Sequence, residues 1–94
     1  MSVTVRIPAP LRPLVDGAAS LSCEPGTVRE LIDQVDARHG GFRERVMQDG
    51  SLRRFVNVFV AGEDIRFSQG VETEVADGQE VTILPAVAGG AADG

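Results

Sequence analysis

Ninety-four residues suffice for one small domain that folds alone with little stability to spare. A net charge of −5, with no Trp or Tyr, argues against a nucleic-acid partner, which calls for a basic stripe and stacking rings. One cysteine, Cys23, and one histidine, His39, leave no internal disulfide and no metal cage of several Cys or His ligands.

No stretch has the flanks and apolar length of a signal peptide or membrane span. The expected location is therefore the cytoplasm, with no membrane partner. Charge is unevenly placed: five arginines face two acids from Arg38 to Arg54, while seven acids face only Arg66 from Glu63 onward. That acidic half fits a basic partner surface, or simply a solvated face. All nine basic residues are arginine, so the chain holds no lysine amine. Compositional bias explains this, and so does protection of an activated C-terminal acyl group from its own nucleophiles.

Taken in order, Ser2 to Pro8 alternate, with Val3, Val5 and Ile7 on one side, as in a half-buried strand. Pro8, Pro10 and Pro13 stop it, and Asp16-Gly17 signals a turn. A second strand follows with Ala19, Leu21 and Cys23 on the apolar face. Pro25-Gly26 ends it. Thr27 and Glu30 have the spacing of a capping box, and Val28, Leu31, Ile32 and Val35 form one apolar helical stripe. Arg38 and His39 suit the last turn, and Gly40 suits a left-handed stop. A polar connection from Gly40 to Arg54 contains a short helical turn at Phe42 to Met47; Arg43, Arg45, Arg53 and Arg54 read as a basic patch or, lacking interleaved aromatics, as a solvated loop.

Phe55 to Ala61 is the most apolar strand, with Val56, Val58 and Val60 on one face and Asn57 and Phe59 on the other. Ala61-Gly62-Glu63-Asp64 turns the chain into a short strand, Ile65 to Phe67. Gly70 and Asp77-Gly78 punctuate the return to a last strand, Gln79 to Leu84, whose Val81 and Ile83 face inward. The order is β-β-α-β-β-β. It predicts an α+β fold of the β-grasp type, the ubiquitin-like roll. In it a mixed sheet carries one main helix on one face, and the last strand runs parallel beside the first. The uncovered face leaves Phe59, Phe67 and Leu84 as candidates for docking a partner.

Beyond Leu84 the chain reads Pro85-Ala86-Val87-Ala88-Gly89-Gly90-Ala91-Ala92-Asp93-Gly94. Nothing there can anchor a fold, so residues 1–86 read as the domain and residues 87–94 as a flexible tail. From Pro85 to Gly90 that arm spans roughly 20 Å when extended. Gly89-Gly90 can enter a slot too narrow for any side chain. No residue is expected to be catalytic, and no metal or other cofactor to be bound. Glu72, Glu74, Asp77 and Glu80 lack a paired base.

Four blocks together resemble the ThiS/MoaD family of ubiquitin-like sulfur carriers: Arg54 to Val60, Glu63 to Phe67, Asp77 to Val81 and Ile83 to Gly90. The likeness is strongest to the carriers that serve a cysteine synthase, and covers Val3 to Gly90. It implies a protein co-substrate, not an enzyme. In that family an E1-like enzyme spends ATP to adenylate the C-terminal glycine carboxylate, which then becomes a thiocarboxylate. That group delivers sulfur to an acceptor such as a PLP-dependent cysteine synthase. The resemblance assigns the sulfur-carrying end to Gly89 and Gly90, the segment entering the partner to Pro85, Ala86, Val87 and Ala88, and a docking role to Leu84 and, more loosely, Phe67. It also implies a monomer when isolated.

One departure matters. Ala91 to Gly94 follow the diglycine, so Gly90 ends in an amide. The resemblance implies a precursor cut between Gly90 and Ala91 by a zinc peptidase of the JAMM type. Two other roles share the same tail: the small subunit of a molybdopterin synthase, and a ubiquitin-like protein modifier.

Overall fold

A computed structural model describes residues 2–85. Strand β1 (Val3–Arg6) buries its odd positions and exposes its even ones, as the alternation requires. It pairs antiparallel with β2 (Ser20–Cys23), Val3 opposite Cys23 and Arg6 opposite Ser20. The two strands are not joined by the expected short loop. Ala9–Val15 form a 3-10 helix that buries Leu11 and Val15, so the prolines shape the connection without unfolding it. Ala19 precedes β2 and is exposed, against expectation, and Ala18 packs on the core instead.

A two-residue strand, β3 (Gly26–Thr27), leads into α1 (Val28–Arg38). The capping box is present in both directions: Glu30 N–H donates to Thr27 Oγ1 at 3.2 Å, and Thr27 N–H to Glu30 Oε1 at 2.9 Å. Gly26 is needed beside it, because a Cβ there would stand 2.5 Å from Glu30 Oε1 and push the carboxylate off its donor. Val28, Leu31, Ile32 and Val35 face the sheet and are buried. The helix ends at Arg38 with His39 as its C-cap, but the left-handed stop expected at Gly40 comes one residue later. The left-handed residue is Gly41 (φ 98°), not Gly40, because Asp36 Oδ1 pulls the chain round by accepting from the N–H groups of Gly41 and Arg43.

That turn starts α2 (Phe42–Val46), which buries Phe42 and Val46 completely. Truncating a buried Phe costs about 3–5 kcal/mol. Against a total stability of about 5–15 kcal/mol, α2 is part of the core and not a decoration. A small hairpin follows, β4 (Met47–Gln48) with β5 (Ser51–Leu52), turning through Asp49 and Gly50 at positive φ.

Strand β6 (Val56–Val60) buries Val56, Val58 and Val60. Phe55 lies outside it and is 53% exposed. A two-residue turn, Ala61-Gly62, joins β6 to β7 (Glu63–Asp64). Ile65–Phe67, expected as a strand, is a 3-10 turn whose Ile65 plugs the core, with Asp64 Oδ1 capping Arg66 N–H at 2.9 Å. Beyond it, β8 (Glu74–Val75) closes against β3.

The last strand, β9 (Glu80–Pro85), lies between β1 and β6, parallel to the first and antiparallel to the second. The five-stranded order β2-β1-β9-β6-β7, with α1 against one face, is the β-grasp roll. Its centre is tightly packed: Val5, Leu31, Val58 and Val81 surround a void of only about 10 Å³. Pro85 extends pairing one residue beyond Leu84, opposite Val56, since a proline at a strand end still offers its carbonyl.

Ala61 is exposed and held at φ 51°, where an L-residue is strained, so its Cβ costs energy and packs on nothing. Ala61→Gly is expected to stabilise the domain by about 0.5–1 kcal/mol, or roughly 2–8 °C in melting temperature. Thermal melts followed by circular dichroism check this, and an unchanged or lower midpoint contradicts it.

Candidate functional site

The site is built around the end of β9. Val81 and Ile83 point into the core, 2% and 1% exposed, which forces Thr82 and Leu84 onto the opposite face. Pairing with β1 reaches only Thr82, opposite Arg6, whereas pairing with β6 continues to Pro85. The strand is therefore held from both sides in its middle and from one side at its end. Whatever follows Pro85 starts at the rim of the sheet, at a point fixed by the core. Ala86, Val87, Ala88, Gly89, Gly90 and Ala91 lie outside the described residues.

Two of the three expected docking residues come together. Leu84 is opposite Asn57 and Phe59 opposite Thr82, which makes Phe59 and Leu84 diagonal neighbours on the face away from α1. Such pairs stand roughly 7–8 Å apart. Leu84 is 44% exposed and Phe59 half-buried. Arg6 and Glu80 border them on the same face in an ion pair of 3.3 Å. Phe67 does not join them on the sheet: it stands on the 3-10 turn beyond β7, 82% exposed. Phe55 was not among the residues expected to be exposed. Its position immediately after two arginines, before the alternation begins, is the signal that it precedes the strand.

Three of the four carboxylates singled out in the sequence are committed to the fold. Glu72 pairs with Arg29, and Glu80 with Arg6. Asp77 accepts the Ser2 backbone N–H at 2.6 Å. His39 Nδ1 is 3.8 Å from the exposed carboxylate of Asp16, a contact between the end of α1 and the Asp16-Gly17 turn. Burial pushes the Cys23 thiol up, and the Arg38 guanidinium beside it only partly offsets this, so the thiol stays protonated and inert. Among the described residues no three His, Cys, Asp or Glu side chains converge on a point that would hold a metal. None of their helices is long and apolar enough to cross a membrane. The arrangement offers a rigid strand, an outward apolar pair beside it and a chain continuing from its tip.

Comparison with known proteins fits this geometry. The ThiS family model matches residues 5–90. The sulfur carrier protein CysO of Mycobacterium tuberculosis is 50% identical over 93 residues, spanning 96% of this chain and all of that one. The chain also superimposes on the crystal structure of the Amycolatopsis orientalis BexX/CysO complex with a TM-score of 0.89 at 51% identity, covering 94% of this chain and 99% of that one. The small archaeal modifier protein SAMP1 of Methanosarcina acetivorans is more distant, at 26% identity and a TM-score of 0.81 over 95% and 96% of the two chains. A family match across nearly the whole chain, on a β-grasp roll with the strand order described above, places the protein in the ThiS family.

Proposed function

We propose that this protein is a sulfur carrier in which residues 1–86 form a rigid handle and residues 87–94 the working tail, acting in the cytoplasm as a co-substrate of other enzymes. The observation that carries this reading is continuity. The central strand of the sheet is paired as far as Pro85, the sequence from Ala86 to Gly90 holds only Ala, Val and Gly, and the family match extends to Gly90.

The chemistry follows from the tail. A carboxylate is a poor electrophile because neither oxygen leaves. An E1-like partner couples the Gly90 carboxylate oxygen to the α-phosphorus of ATP, with pyrophosphate departing. Sulfur supplied as a nucleophile to that partner then adds to the acyl carbon, and AMP departs with the activated oxygen. The product is a Gly90 thiocarboxylate. Gly89 and Gly90 allow the main chain into a slot that a Cβ would block. Pro85, Ala86, Val87 and Ala88 supply the reach, and docking of the body converts a bimolecular step into a local one. The acceptor is a biosynthetic enzyme such as a PLP-dependent cysteine synthase. In this scheme the carrier contributes no acid, base or nucleophile of its own.

Gly90 is followed by Ala91, so removal of residues 91–94 by a JAMM-type peptidase precedes activation. ATP–pyrophosphate exchange by an E1-like enzyme is expected with the chain ending at Gly90 and not with the full chain. Equal exchange by both forms contradicts the precursor reading.

The outward pair Phe59 and Leu84 provides the docking surface, and Phe67 a peripheral contact. Leu84→Asp is expected to leave stability within about 0.5 kcal/mol, because Leu84 is exposed. It should raise the KM of the activating enzyme for the truncated chain about tenfold, with kcat little changed. An unaltered KM removes Leu84 from the interface.

A second reading, a ubiquitin-like modifier, is favoured by the likeness to SAMP1. Isopeptide conjugates to lysines of other proteins, without any thiocarboxylate form, would support it.

A further inference from the structure

The arginines do not share one fate. Arg43 is paired with Asp33 at 3.2 Å, and Arg29 with Glu72. Arg53, Arg54 and Arg66, separated in sequence, converge on the rim of one groove of about 400 Å³. The floor of that groove is apolar, made by Leu52, Ile65 and Val71, and by Val56 where β6 begins.

The charge on this rim is largely uncompensated. Arg53 is oriented by neutral acceptors, its Nε donating to the Glu44 carbonyl at 2.7 Å and its Nη1 to Gln48 Oε1 at 3.3 Å. Arg54 has no ion pair among the described residues, and Arg66 has only Asp64 at 3.8 Å. On a chain of net charge −5 this is a local reversal of sign. Its place is not remote: Val56 both lines the groove and pairs with Pro85, where the tail begins. A protein that receives the tail has this groove beside it.

We infer that the groove takes an acidic segment of the partner, whose glutamate or aspartate side chains meet Arg54 and Arg66 while an interspersed leucine or valine enters the floor. Arginine suits this role because its planar guanidinium binds carboxylates in bidentate fashion and is weakly hydrated. The apolar floor makes an extended peptide a better fit than a small inorganic anion, which would leave it wet. For the identity of the partner this inference rests on the carrier reading above.

The test is an NMR titration of the ¹⁵N-labelled full chain with a short peptide of alternating glutamate and leucine. Pyrophosphate and a lysine–leucine peptide are titrated in parallel. The glutamate peptide is expected to shift the amides of Leu52, Val56, Ile65, Arg66 and Val71. Affinity should weaken with added salt, and fall about tenfold in the double variant Arg54→Glu, Arg66→Glu, while Arg45→Glu changes nothing. Should the double variant fold poorly, Arg54→Glu alone carries the test, since the Arg54 side chain makes no ion pair among the described residues. Shifts scattered over the surface, equal binding by the variants, or equal binding of pyrophosphate would each overturn the inference. Activation of Gly90 is not part of this readout, so a silent groove on a chain that is activated overturns this inference alone.

Discussion

The pairing of β9 on both flanks is the constraint on which the structure depends. A terminal strand at a sheet edge can fray or slip, and its last residue then has no fixed position. Here the last described strand occupies the middle of the sheet, parallel to β1 and antiparallel to β6, with Val81 and Ile83 sealed beneath α1. A one-residue slip would turn Val81 and Ile83 out and bring Thr82 and Leu84 in, at a cost of several buried side chains. Register is thereby set by the core, and the core sets where the chain emerges at Pro85. Precision in the body is what gives a small-residue tail a defined origin.

The same register creates the proposed docking surface. Burying the odd positions of β9 forces Leu84 outward, and burying the even positions of β6 forces Phe59 to the same side. The apolar pair beside the tail base is thus a consequence of strand periodicity, and the arginine-rimmed groove a consequence of the loops that enter and leave β6 and β7. One surface is apolar and the other cationic. Both adjoin residues opposite the end of β9, so a partner drawn to either is brought to the tail.

Much of this was legible from residue pattern. The alternation in Val3 to Ile7 and Phe55 to Ala61, the Thr27–Glu30 spacing and the stripe through Val35 correspond to β1, β6 and α1 within a residue or so. What escaped was structure made by tertiary demand. Ile-Arg-Phe alternates as a strand does, yet only Ile65 is needed by the core, and a 3-10 turn delivers it more compactly. The proline-rich stretch reads as an interruption, although Leu11 and Val15 lie four residues apart, a spacing that fits one face of a short helix. Asp49-Gly50 is a strong turn signal for the β4–β5 hairpin, but strands of two residues are too short to show an alternation beside it. The grouping of Arg53, Arg54 and Arg66 depends on how β6 and β7 fold back, which no local pattern encodes. Gly89 and Gly90, proposed to carry the sulfur, lie outside the described residues, so that proposal rests on the sequence and the family match.

The central claim concerns the covalent state of the chain's working end. An intact mass of the protein purified from its native cell tests it most directly. The account predicts a form ending at Gly90, with a fraction heavier by the replacement of one oxygen by sulfur. A population that retains residues 91–94 throughout, with no sulfur-bearing species under conditions of active sulfur assimilation, would contradict it.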